Sequence, residues 1–141
     1  MNPFARLWQD HPLIVVHLAA ALMAIVVGTV QMVRAKGTSS HRAIGWGFVA
    51  LLGATALTSV FIRDRQLPNI GGYTPIHIFT AVALVALPLG VWHARRGNLK
   101  AHRGTMSRLF YGACITAGIF TLVPGRFLGD LVWKHWLGVL H

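Results

Sequence analysis

Eight histidines in a chain of 141 residues are the side chains best suited to chemistry here, because a neutral imidazole binds metals and its proton is exchangeable near neutral pH. Four of them fall into two pairs. His17 and His77 each stand a few residues inside an apolar stretch, while His41 and His102 each open one and are followed by Arg42 and Arg103. Two imidazoles at matched depth on facing helices are what a bis-histidine b-type haem requires. Arginines at the same level suit its propionates, Arg63 and Arg126 with the first pair and Arg42 and Arg103 with the second. This chemistry uses neutral axial ligands and needs no carboxylate, which matches apolar stretches that contain neither Asp nor Glu.

Each assignment has a plainer competitor. At His41 and His102 it is a helix cap or a headgroup contact, and at His17 and His77 it is hydrogen bonding between helices. Arg63 and Arg126 at helix ends also fit ordinary snorkelling towards the interface. His41, His93 and His102 form a third option, a zinc or copper trio, although no tight ligand spacing accompanies them. His11, His135 and His141 read as solvated on the outer side. Cys114 is the one cysteine, so neither a disulfide framework nor a cysteine-rich metal site is available.

The elements that must position these rings follow from composition. With 55% apolar and 11% charged residues, the chain lies outside the range of soluble domains. Apolar runs at about 13–33, 43–62, 75–93 and 109–123 approach the roughly 20 residues that cross a bilayer, and none contains a charged residue. The expectation is one all-α domain over residues 1–141, an integral membrane four-helix bundle. The first run reads as a helix and not a cleaved leader, since Arg6 is offset by Asp10 and Arg34, Ala35 and Lys36 make a poor cleavage site. Beyond Pro124, Gly125 and Arg126 the tail regains apolar character with Trp133 and Trp136, which predicts a short helix lying in the interface.

Charge orients the bundle. Arg34, Lys36 and Arg42 flank the first loop, and Arg95, Arg96, Lys100, Arg103 and Arg108 flank the third, with no acid beside them. Loops rich in Lys and Arg stay cytoplasmic, so both chain ends are expected outside, where Asp10, Asp64 and Asp130 accompany Arg6, Arg63, Arg65, Arg126 and Lys134. The net charge of +10 is then a collar suited to anionic lipid and not a nucleic-acid surface. Trp8, Trp46, Tyr73, Trp92, Trp133 and Trp136 fall near the run ends, as interfacial aromatics do.

Laying His41 on His102 also aligns Arg34 with Arg95, Arg42 with Arg103, Thr55 with Thr116 and Ala56 with Ala117. Small gaps bring His17 onto His77, Gly28 onto Gly90 and Gln31 onto His93. Two pseudo-equivalent hairpins are expected, with a shared axis between them. Along the first run His17, Ala21, Ala24, Gly28 and Gln31 repeat at the 4-3 spacing of a packed seam. His77, Ala81 and Leu84 start a comparable stripe on the third run, from which His93 is turned by roughly 160°.

The chain resembles a family of bacterial four-helix predicted membrane proteins, domain of unknown function 2306. The likeness rests on Gly28 with Gln31, His41-Arg42 with Gly45, Pro75-Ile76-His77, His102 with Met106, and Pro124-Gly125-Arg126, in that order. It implies a multi-pass fold in the inner membrane of a bacterium and carries no established activity or catalytic residue. In helix number and histidine placement the chain is also similar to transmembrane cytochromes b and to small oxidase-assembly proteins. The expected function is therefore haem-based electron transfer, with His17, His77, His41 and His102 as ligands. Two other classes remain open: a non-catalytic scaffold or assembly protein for a membrane complex, paired with a partner subunit or a second copy, and a metal or small-molecule carrier.

Overall fold

A computed structural model describes residues 2–63 and 68–139. Asp64 and Arg65, counted above in the outer charge, and His141 lie outside the described residues. The architecture is all-helical: α1 (Pro3–Asp10), α2 (Pro12–Val33), α3 (Ser39–Phe61), α4 (His77–Arg95) and α5 (Leu99–Arg108). A π-helical segment, Leu109–Ile115, follows, then α6 (Thr116–Thr121), α7 (Phe127–Asp130) and a second π segment, Leu131–Trp136.

Among the described residues, α2, α3 and α4 are long and apolar enough to cross a membrane, at 22, 23 and 19 residues. Only 17% of each span's apolar window is buried inside the molecule. Val26, Leu57, Phe61, Ile78 and Val85 all face outwards, a surface that water would penalise and hydrocarbon does not. The chain is a membrane protein in which lipid covers what a soluble fold would bury.

The fourth apolar run differs from its expected 109–123. Its helix starts ten residues earlier, at Leu99, because Asn98 caps it by accepting from the Ala101 amide at 3.2 Å. The polar turns that follow carry His102 and Arg103, and a hydropathy reading misses them. At Leu109 the winding loosens to i→i+5 bonding, which turns Leu109, Phe110, Ala113 and Cys114 all inwards. The π turn divides this rod into α-helical pieces that are each too short to span.

Helix α2 packs on α3, α3 on α4, and α4 on α5 and the π segment, which returns to α2. The core between them holds Ala24, Phe48, Leu52, Ala56, Ala83, Leu87, Leu109, Phe110, Ala113 and Cys114. On α2 the buried line is Ala24, Gly28 and Gln31, as its seam predicts. On α4 the expected stripe is displaced: Ala81 and Leu84 are exposed, and Ala83, Leu87 and Gly90 point inwards. The Thr80 hydroxyl bonds that of Ser59 on α3 at 2.7 Å, which fixes α4 in this rotation and brings His93 to within one turn of the buried line.

Helix α1 was not anticipated, although Asn2 caps it by accepting from the Ala5 amide at 2.7 Å and Pro3 opens it. The tail does turn helical. Trp133 donates its indole N–H to the Leu122 carbonyl at 2.8 Å, and Asp130 accepts from the Gly125 amide at 2.9 Å.

Candidate functional site

The histidines occupy two layers. Fourteen residues of α2 separate His17 from Gln31, about 21 Å at 1.5 Å per residue. His17 and His77 lie at the level where α3 ends, and His41 and His102 at the level where α3 and α5 begin.

In the inner layer the His41 and His102 rings are 6.5 Å apart, centroid to centroid, and nearly perpendicular. The Thr38 hydroxyl caps α3 by accepting from the His41 amide at 3.0 Å, so His41 is held one turn inside the helix. His102 donates from Nδ1 to the Gly90 carbonyl at 2.8 Å. A carbonyl only accepts, so the proton sits on Nδ1 and the Nε2 lone pair is left available. This is the orientation that metal-binding histidines take from a backbone carbonyl.

Gln31 completes the layer, although the sequence marks it only as a seam position, a repeat match and a family motif residue and not as a partner of His41. Its side-chain amide donates to the His41 carbonyl at 2.7 Å and lies 3.5 Å from His41 Nε2. Gln31 Oε1, His41 Nδ1 and His93 Nδ1 are buried without a hydrogen-bond partner among the described residues. Orphaned polar atoms are uncommon in native interiors and ask for an explanation. The signal for Gln31 was available: an amide at membrane depth is costly and usually faces a partner.

The outer layer is more heavily engaged. His17 donates from Nδ1 to the Thr55 carbonyl at 3.0 Å, with the Thr58 hydroxyl at the same distance, which leaves its Nε2 lone pair available. His77 uses both ring nitrogens: Nδ1 accepts from the Thr74 amide at 3.2 Å, and Nε2 donates to the Ile62 carbonyl at 3.1 Å. Thr55 and Thr58, three residues apart on α3, are the polar partners that reasoning from histidines alone passes over.

The expected arginines separate. Arg63 donates to the Gly71 carbonyl at 2.6 Å and stacks 4.0 Å over the Tyr73 ring, so it anchors the following loop. Arg42, Arg103 and Arg126 make no side-chain hydrogen bond or ion pair among the described residues. His93 packs against Trp92, with ring centroids 5.1 Å apart. Among the described residues no three His, Cys, Asp or Glu side chains are grouped to hold a metal ion, so His41, His93 and His102 do not assemble as a trio. His11 and His135 are exposed.

The glycines beside the rings are filled by neighbours. A methyl group on Gly28 would meet the Phe110 ring at 2.5 Å, and one on Gly90 the Met106 methyl at 2.7 Å. Gly28 thus lets Phe110 close on α2, and Gly90 lets Met106 close on α4.

An all-helical chain with three apolar spans and buried polar side chains inside them defines a polytopic membrane protein. The chain belongs to the predicted membrane protein family DUF2306, whose model matches residues 14–138. No curated protein and no solved structure matches it.

Proposed function

We propose that this protein is a four-helix transmembrane electron-transfer module that binds two b-type haems, the inner one between His41 and His102 and the outer one between His17 and His77. The observation that carries the reading is the inner pair. Two imidazoles presented by different helices at one level are the donor set that would hold a bis-histidine haem. The inner rings are 6.5 Å apart, and His102 already has its Nδ1 proton directed at Gly90.

The chain's own groups do the positioning. The Gly90 carbonyl orients His102, and the Thr38 cap and Gln31 hold the His41 turn. Met106, an unbranched and adaptable side chain, packs against Gly90 beside His102 and would have to repack if a haem were held there. Arg42 and Arg103 at the inner level, and Arg126 at the outer level, would be the groups to receive propionates. A bound haem supplies one-electron exchange between ferric and ferrous iron. For the outer site, His77 would have to release the Ile62 carbonyl from Nε2 and the Thr74 amide from Nδ1, with an Nδ1 proton then donated to the Thr74 hydroxyl 3.3 Å away, before its Nε2 could act as a ligand. The two helical hairpins act as pseudo-equivalent halves, each giving one ligand to each site. The chain sits in the inner membrane with both termini outside and its basic loops in the cytoplasm.

A second reading is favoured by His77, whose two ring nitrogens are both engaged by the protein. In it the chain is a scaffold for a membrane partner, and its histidines tie helices together. Absorption spectroscopy separates the two. Protein purified in detergent and titrated with haemin develops a sharp Soret band and a narrow α band on reduction if histidines ligate on both sides. Folded protein that shows only the broad absorption of free haemin throughout the titration leaves the scaffold reading.

A further inference from the structure

Between α3 and α4 an open groove of about 440 Å³ is lined by Trp46, Val49, Leu87, Pro88, Val91, Trp92 and Arg95. Pro88 has no amide hydrogen to donate to the preceding turn of α4, and it lies exposed on the groove floor. Trp46 and Trp92 are each about half exposed, at 53% and 50%, and they stand as walls at interfacial depth.

Arg95 is the one charged group in the lining. Its guanidinium stands 5.8 Å from the Trp46 ring centroid and makes no hydrogen bond or ion pair among the described residues. Its planar fork of donors suits bidentate binding of a phosphate. Arg96 stands 5.2 Å over the ring of Trp92, and no acidic residue is in the lining.

We infer that this groove binds one anionic phospholipid, with an acyl chain along Val49, Leu87, Pro88 and Val91 and the phosphate on Arg95. The charge pattern selects that occupant. A long apolar floor with a single cationic end complements an amphiphile that is negative at one end. A quinone, which carries a carbonyl on each side of its ring, needs donors at two ends, and the groove offers donors at one. The inference does not depend on haem.

The full chain carrying Trp8→Phe, Trp133→Phe and Trp136→Phe, placed in phosphatidylcholine nanodiscs doped with acyl-brominated lipid, provides the test, because Trp46 and Trp92 then report contact with bromine. Brominated phosphatidylglycerol quenches at about a fivefold lower mole fraction than brominated phosphatidylcholine, the ratio one basic residue at a membrane surface confers. Arg95→Gln abolishes the preference, while Lys100→Gln, which removes a charge from the same end outside the groove, keeps it. Equal quenching by the two lipids overturns the inference. So does a preference that survives Arg95→Gln or falls equally with Lys100→Gln, or protection from quenching by a quinone analogue irrespective of headgroup.

Discussion

The two histidine pairs contain the same ring chemistry, and His77 is what separates them: His102 and His17 each donate Nδ1–H to a carbonyl inside a helix and keep Nε2 available, whereas His77 uses both of its nitrogens. At the inner level His102 has one nitrogen oriented by a helix carbonyl and the other available, and His41 has a buried nitrogen with no partner. At the outer level His77 closes the end of α3 by donating to Ile62, and His17 ties α2 to Thr55. The difference follows from where the chain has open backbone groups. The Ile62 carbonyl lies just past the last turn of α3 and has no helical donor, so an imidazole within reach is drawn into a structural bond. The Gly90 carbonyl lies inside α4, and an added donor there orients the ring without being needed to hold the helix.

The largest effect expected from this contrast is on haem loading. His102→Ala removes the inner haem and halves the Soret absorbance per polypeptide, whereas His77→Ala removes the outer one and leaves the inner α band; pyridine haemochrome assays on both variants measure this. Without haemin the order reverses. His77→Ala strands the Ile62 carbonyl and costs about 1–3 kcal/mol, seen as a lower thermal midpoint in detergent than for His102→Ala. Equal midpoints would remove the asymmetry between the layers.

Gly28→Ala drives a methyl group into Phe110 and costs about 1–3 kcal/mol by overpacking, and denaturation in mixed micelles reports it. Ser59→Ala removes the bond to Thr80 that sets the rotation of α4, at a cost near 0.6 kcal/mol. The smallest effect is one of pH. The Gly125 amide, then the Lys134 ammonium 3.3 Å away, hold the exposed Asp130 carboxyl below its usual range. A depressed value means its contribution is complete above the ordinary carboxylate pKa of about 3.9 and is lost as pH falls through the lower folded value. Trp133 emission therefore changes only at strongly acidic pH, and Asp130→Asn abolishes that change.

Much of this arrangement was legible in the residues. Apolar runs located α2, α3 and α4 to within a few residues, and the 4-3 spacing of Ala24, Gly28 and Gln31 identified the buried face of α2 because small residues must face helices where lipid offers no hydrophobic drive. The pairing of His41 with His102 came from their matched positions at helix starts. Other features depend on geometry that spacing does not encode. The polar turns of α5 escaped a hydropathy window, the π winding after Arg108 has no compositional mark, and the rotation of α4 depends on a hydroxyl pair between helices. Gln31 was visible as a seam position, but its contact with His41 needed both helices in place.

Haem content per polypeptide tests the central claim most directly. The purified wild-type chain, loaded with haemin and freed of excess, should carry two haems, with His41→Ala and His102→Ala each reducing the count to one. Wild-type protein that is folded by circular dichroism and carries none contradicts the account.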